Sequence, residues 1–376
     1  MKDLFLARVL MTSTSFPATH QDWPGRFIAN LAEALARRED VRLALWAPPG
    51  EHSQNINMAA SKQDSKWLRQ LITLGGIAHM LRTHPIRGGM AALGLMYRLR
   101  QVYRHHKDVD IFHVNWLQNA LPLWGCSRPA VVSVLGNDFG LLRLPGMVPA
   151  LRLMLRERNA ILTPNADWMA DDLERWFGDL AEIRPIPFGV DSPWFDIQQQ
   201  RTLNKPDQWI AVTRITRRKI GNLFDWGQGL FDQKRQLHLF GPMQEEMALP
   251  DWVNYHGSTD PNTLLKIWFP YVTGLVTLSE HDEGRPQVLL EAMAAGVPVV
   301  ASQLAAHRDL ICSGETGVLV GSRVEFELAL QKLGSPAVNR QIGMAAHYWI
   351  KKHVGTWDDC AARYCSAYQS VLGARA

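Results

Sequence analysis

Two glutamates, Glu283 and Glu291, are separated by seven residues in the run Ser279-Glu280-His281-Asp282-Glu283-Gly284-Arg285-Pro286-Gln287-Val288-Leu289-Leu290-Glu291-Ala292-Met293-Ala294-Ala295-Gly296-Val297-Pro298-Val299-Val300-Ala301. A polar loop follows an apolar strand ending near Leu278. A helix then starts at Pro286, whose fixed φ and missing N–H suit the first helical position. Leu289, Leu290, Met293 and Ala294 give that helix an apolar face, and Gly296 supplies its stop. The N–H groups of a helix start, with the dipole behind them, suit an anion such as a diphosphate. Glu283 lies in the loop at that mouth and Glu291 about a turn and a half into the helix, so the two carboxylates face different parts of one ligand. A second candidate group is cationic: Arg214 and Lys219 in Val212-Thr213-Arg214-Ile215-Thr216-Arg217-Arg218-Lys219. Clustered cations of this kind suit an anionic ligand, although a basic turn in solvent has the same composition.

Strand-like apolar runs alternate with helix-like segments, which predicts an α/β protein of parallel sheets. The expected strands are Ala7 to Met11, Val41 to Trp46, Ile111 to Val114, Val131 to Leu135, Ala160 to Thr163 and Ile183 to Ile186, with a helix over Phe27 to Arg38. A polar stretch, Asp191 to Asp207, reads as a linker. A second series follows at Trp209 to Val212, Leu237 to Phe240, Val253 to His256, Gly274 to Leu278, Val297 to Ala301 and Gly317 to Val320. The tail from Trp357 to Leu372 reads as a helix with Ala361, Tyr364, Cys365, Tyr368, Val371 and Leu372 on one face. The expected domains are 1–195 and 206–352, with 353–376 crossing back to the first, and the ligand in the cleft between them.

A length of 376 residues accommodates two such domains. No apolar run approaches the ~20 residues of a membrane-spanning helix, and Arg8 interrupts the only run resembling a leader core. Cys126, Cys312, Cys360 and Cys365 lack metal-ligand spacing and read as reduced core thiols of a cytoplasmic protein. Net charge is only +4, yet Lys62, Lys66, Arg69, Arg82, Arg87, Arg98, Arg100, Arg104 and Lys107 face a single acid, Asp64, with apolar residues interleaved. Such a segment suits an anionic membrane surface or the solvated faces of ordinary helices. Nucleic acid is not expected, since no binding motif accompanies the charge.

The string Glu283-Gly284-Arg285-Pro286 through Glu291-Ala292-Met293-Ala294-Ala295-Gly296-Val297-Pro298-Val299-Val300 resembles the hallmark of the retaining glycosyltransferases of family 4 (group 1), which have the GT-B fold of two Rossmann-like domains facing across a cleft. Arg214 and Lys219 keep the spacing of the family's G-R-L-x-x-x-K-G segment, with Thr213 in place of Gly and Ile220 inserted before Gly221. Ile186-Pro187-Phe188-Gly189-Val190-Asp191 resembles I-P-N-G-V-D, and Pro24-Gly25-Arg26-Phe27 resembles the glycine-bearing first loop. One departure stands out: Val134-Leu135-Gly136-Asn137-Asp138 puts Leu135 where many relatives carry a histidine near the transferred sugar. Asn137, Asp138 or His113 could take over its contact.

The resemblance implies transfer of a sugar from a nucleotide-diphosphate-sugar to an acceptor hydroxyl with retention, in surface polysaccharide, lipopolysaccharide or glycolipid assembly. It assigns Glu283, Arg214, Lys219 and Asp138 to catalysis, and Gly25, Arg214, Lys219, Gly284, Arg285, Pro286, Gln287, Val288 and Glu291 to the donor. No cofactor or metal is implied. The acceptor would be a glycan or lipid-linked glycan, met in the cytoplasm or on the inner face of the cell membrane. Trp116, Trp124, Trp168 and Trp176 could stack on acceptor sugars or simply pack. The alternative is a catalytically silent sugar-nucleotide-binding or scaffold protein of a glycan-assembly complex.

Overall fold

The computed structural model describes residues 6–373 apart from 20, 137, 204 and 282. The chain forms two compact units: residues up to Phe188 together with those from Trp357 onward, and Gly189–Thr356.

The first unit holds a seven-stranded sheet among the described residues: β1 (Ala7–Thr12), β2 (Val41–Trp46), β3 (Asn57–Met58), β4 (Ile111–Asn115), β5 (Ala130–Val134), β6 (Ala160–Pro164) and β7 (Glu182–Ile183). All pairings are parallel, in the order β3-β2-β1-β4-β5-β6-β7, with Val9 beside both Leu43 and Ile111. Every residue of β4, β5 and β6 is buried. Parallel strands covered on both faces show continuous rather than alternating apolarity for this reason. β3 was not expected, since two residues carry no readable period.

The helix Arg26–Ala36 covers one face of this sheet, and the helix Trp357–Gly373 packs beside it. On the latter, Trp357, Cys360, Ala361, Tyr364, Cys365, Ala367, Tyr368 and Val371 are buried, a three-to-four-residue repeat. Its tyrosines also reach polar groups under the sheet. The Tyr368 hydroxyl lies 2.6 Å from His113 Nδ1, His113 Nε2 lies 3.0 Å from Ser133 Oγ, and Ser133 Oγ lies 2.7 Å from the Tyr364 hydroxyl. His113 is thus a satisfied core histidine, and burial lowers its pKa to about 3.

The second unit holds β8 (Asp207–Val212), β9 (Arg235–Phe240), β10 (Val253–Tyr255), β11 (Gly274–Thr277), β12 (Val299–Ser302) and β13 (Val318–Val320), parallel in the order β10-β9-β8-β11-β12-β13. The stretch read as a linker is largely structured. Ser192–Gln200 is a helix whose Trp194 and Ile197 enter the core, with Trp194 edge-on to Phe269 at 4.6 Å. Two apolar residues three apart suffice to dock one turn, and the run of glutamines on the outer side masked them. Arg201 follows. It is half-buried and donates to the carbonyls of Gly296 and Val272 and to Asn339 Oδ1, the last two at 2.9 and 3.1 Å. The change of unit therefore falls at Phe188 and Gly189, not within 191–207. At the other end, Val190 donates to the Gly355 carbonyl at 3.1 Å, so 353–356 stay with the second unit.

The cysteines are unbridged, but Cys312 is exposed rather than part of a core.

Candidate functional site

The carboxyl ends of β8 and β11 bring the chemistry-bearing residues of the second unit together. After β8, Thr216 caps a one-turn helix, Arg217–Ile220, its hydroxyl accepting the Lys219 N–H at 3.2 Å. Gly221 has φ 53°, and a Cβ there would lie 2.0 Å from the Leu278 carbonyl oxygen. Only glycine lets this turn approach the end of β11 so closely. The two loops are also laced by backbone: Glu280 N–H donates to the Arg218 carbonyl at 2.8 Å, and Arg218 Nη2 returns to the Glu280 carbonyl at 2.9 Å.

This lacing sets Lys219 against Glu283. Their side chains form a direct ion pair, each largely shielded from solvent. Burial lowers the Lys219 pKa, the Glu283 charge acts to raise it, and nearby Arg214 lowers it further. His281, in the same loop, is depressed by burial and by Lys219, and Arg214 and Arg218 act in the same sense. Arg214, Lys219, His281 and Glu283 thus form one electrostatically coupled group. Its membership was readable except for His281, which stands two residues before Glu283 without a spacing that marks it.

The helix itself spans Gln287–Ala294, with Pro286 outside it as the cap at φ −66°, ψ 119° rather than as its first residue. An extended Pro turns the chain into the helix one step later than its preference for the first position suggested. Leu289, Leu290, Ala292, Met293 and Ala294 are buried, whereas Gln287, Val288 and Glu291 are half-buried. In any helix the N–H groups of the first turn lack intrahelical acceptors, here those of Gln287 and Val288. Gly296 closes the element at φ 67°.

Two residues assigned to the donor point elsewhere. The Arg285 guanidinium turns inward to the Asp309 carboxylate, with 3% and 8% side-chain exposure. Gln287 Nε2 donates to the Gly189 carbonyl at 2.9 Å. Both hold the loop and helix start in place through contacts remote in sequence.

In the first unit, Gly25 caps the helix Arg26–Ala36 at φ 75°, and a Cβ there would lie 2.6 Å from Phe16 N. Asp138 is buried, its two oxygens accepting the N–H groups of Leu117 and Leu135 at 2.9 Å each, and burial raises its pKa to about 6. It therefore ties the loop after β4 to the loop after β5. Leu135 packs against the apolar core, and Asn137 lies outside the described residues. Trp168 and Trp176 pack around Phe139, at 5.3 and 5.6 Å. Trp116 differs: it is half-buried, edge-on to Phe27 at 6.2 Å, and holds φ 72°. A left-handed backbone at a bulky residue stores strain and marks functional sites more often than others. No sequence signal announces it.

Residues 227–334 match the family described as glycosyl transferases group 1, a span that includes Glu283 and Glu291. The matched span lies within the second unit. The chain is 25% identical over 386 residues to a glycogen synthase of Mycobacterium tuberculosis, covering 90% of this chain and 89% of that one. A sucrose-phosphate synthase from Thermosynechococcus elongatus has the same fold, with a TM-score of 0.69 at 19% identity over 98% of this chain and all of that one. So does Anabaena HepE, solved in complex with UDP-glucose, with a TM-score of 0.61 at 14% identity over 96% and 99% of the two chains. Both parallel-sheet units of this chain accordingly have the GT-B fold.

Proposed function

We propose that the protein transfers a sugar, with retention, from a nucleotide-diphosphate-sugar to an acceptor hydroxyl in surface-polysaccharide or glycolipid assembly, without a metal. The observation that carries this reading is the Lys219–Glu283 pair beside Arg214, at the start of the helix that bears Glu291. In the bound state Lys219 and Arg214 neutralise the diphosphate, helped by the N–H groups of Gln287 and Val288. Glu291 accepts from the ribose hydroxyls and Glu283 from the donor sugar. Arg285, Gln287 and Asp138 act as positioning residues. The C1–O bond to the diphosphate breaks and its electron pair stays on the phosphate oxygen. The acceptor oxygen bonds to C1 on the same face, and its proton passes to that departing oxygen. The UDP-glucose complex of HepE supports a nucleotide-sugar donor.

The first test is thermal shift with UDP-, GDP-, ADP- and TDP-sugars. A donor at 100 times its Kd should add about 2.7 kcal/mol of apparent stability. The shift should vanish in Glu291→Ala and Lys219→Ala. Silence toward every donor would sink the reading.

A pH profile offers a second check. Lys219 binds diphosphate only when protonated, and burial puts its pKa below that of an ordinary lysine. Donor affinity should therefore fall on the alkaline side earlier than a solvated lysine would allow. Glu283→Gln removes the charge that raises this pKa, so the fall should move to lower pH. An unmoved alkaline limb would mean that another cation controls binding.

Leu135 at the family's histidine position favours a second reading, a silent sugar-nucleotide-binding or scaffold protein. Donor binding with neither transfer nor slow hydrolysis would support it.

A further inference from the structure

The helix Pro85–His105 of the first unit carries two apolar faces. One is conventional: Leu95, Leu99, Val102 and Tyr103 are buried with Phe112 and Val114 in the core. The other faces solvent. Ile86, Met90, Leu93 and Tyr97 are 82%, 62%, 72% and 66% exposed. Their spacing, i, i+4, i+7 and i+11, sets them in one row along the helix. Arg104 continues the row toward its end. The preceding helices, Lys62–Thr73 and Gly76–Thr83, are joined by a short turn and add Ile72, Leu74 and Leu81, also exposed. Beyond the row, Trp124 is 54% exposed with the Arg100 guanidinium 5.0 Å above its ring. An ordered apolar row of this kind on a soluble surface marks an interaction site.

Charge selects the occupant. Lys62, Lys66, Arg69, Arg82, Arg87, Arg104 and Lys107 are exposed in the same segment. Its one acid, Asp64, is already engaged by Arg98 at 2.7 Å. A second copy of the chain would bring these cations against their own kind. An anionic lipid surface satisfies both features, taking the aliphatic row into the headgroup boundary and neutralising the cations. The exposed Trp124 beside the row suits the same interface. We propose that residues 62–105 form a docking surface for an anionic bilayer, with the helix Pro85–His105 lying in the membrane plane, Ile86, Met90, Leu93 and Tyr97 inward. This deepens the transfer reading, since a lipid-linked acceptor would be met at that plane.

The test is flotation of the full chain, without sugar nucleotide, on phosphatidylcholine vesicles with and without phosphatidylglycerol. Binding should require the anionic lipid and weaken as salt rises. Arg82→Gln and Arg87→Gln should each lower the partition coefficient by about fivefold. Met90→Asp with Leu93→Asp should lower it by at least about tenfold, with the melting temperature and the donor thermal shift unchanged. No binding to anionic vesicles at low salt would overturn the proposal. So would binding that Met90→Asp with Leu93→Asp leaves intact, or a solution dimer that this variant dissociates. Donor thermal shift is read separately, so failure of the transfer reading and failure of this one are distinguishable.

Discussion

Lys219→Ala is expected to lower transfer by about 10²–10³-fold in kcat, as loss of one preorganised group at a developing negative charge commonly does. Two effects act together. The diphosphate loses a cation held in place by the Thr216 cap and by Gly221, and Glu283 is left without the partner that its shielded position requires. Glu283→Gln should behave differently. It frees Lys219 from its ion pair, so nucleoside diphosphate should bind as well as before or better while transfer falls. Combined, the two substitutions should cost less than the product of their separate factors, because the residues touch. Steady-state kinetics with nucleotide binding by calorimetry checks this. Independent, multiplicative losses would mean that the pair is incidental to transfer.

Acid lability of the first unit is the second large effect. His113 is fully buried among Tyr364, Tyr368 and Ser133, with its pKa lowered to about 3. The unfolded chain takes up a proton near pH 6.5 and the folded one does not. The stability contribution is therefore complete above pH 6.5 and lost as pH falls toward 3, by about 1.4 kcal/mol per pH unit within that window. His113→Gln should be less stable at pH 8, where it loses the ring packing, yet show a flatter decline between pH 6.5 and 4.5. Urea midpoints of both proteins across that range decide it. Parallel declines would place the acid-sensitive group elsewhere.

Local pattern made much of this architecture readable. Val41–Trp46 was bounded by its own apolar run and the Pro-Pro-Gly after it, and the face carrying Tyr364 and Tyr368 followed from helical spacing. The helix and strand within the Glu283-to-Val300 string were legible because loop, helix and strand lie consecutively in the chain. What stayed hidden depends on contacts between distant positions. Lys219 and Glu283 were each recognisable, but their pairing spans two loops joined by Gly221. The contacts of Arg285 with Asp309 and of Gln287 with the Gly189 carbonyl likewise join positions far apart in the chain. The helix Ser192–Gln200 was masked by glutamines on its outer side, and the strain at Trp116 is a backbone property no composition reports.

The assignment of Trp357–Gly373 to the first unit bears on the order in which this protein can be built. A ribosome delivers β1 to β7 early, but the helix that covers His113 and Ser133 emerges only after all of 189–356. At common elongation rates of about 5–20 residues per second, the nascent first sheet waits on the order of ten seconds or more with one face uncovered. A ribosome-stalled chain ending before Trp357 should therefore hold a folded second unit and an unfinished first one, exposed to proteases and chaperones until the last turns arrive.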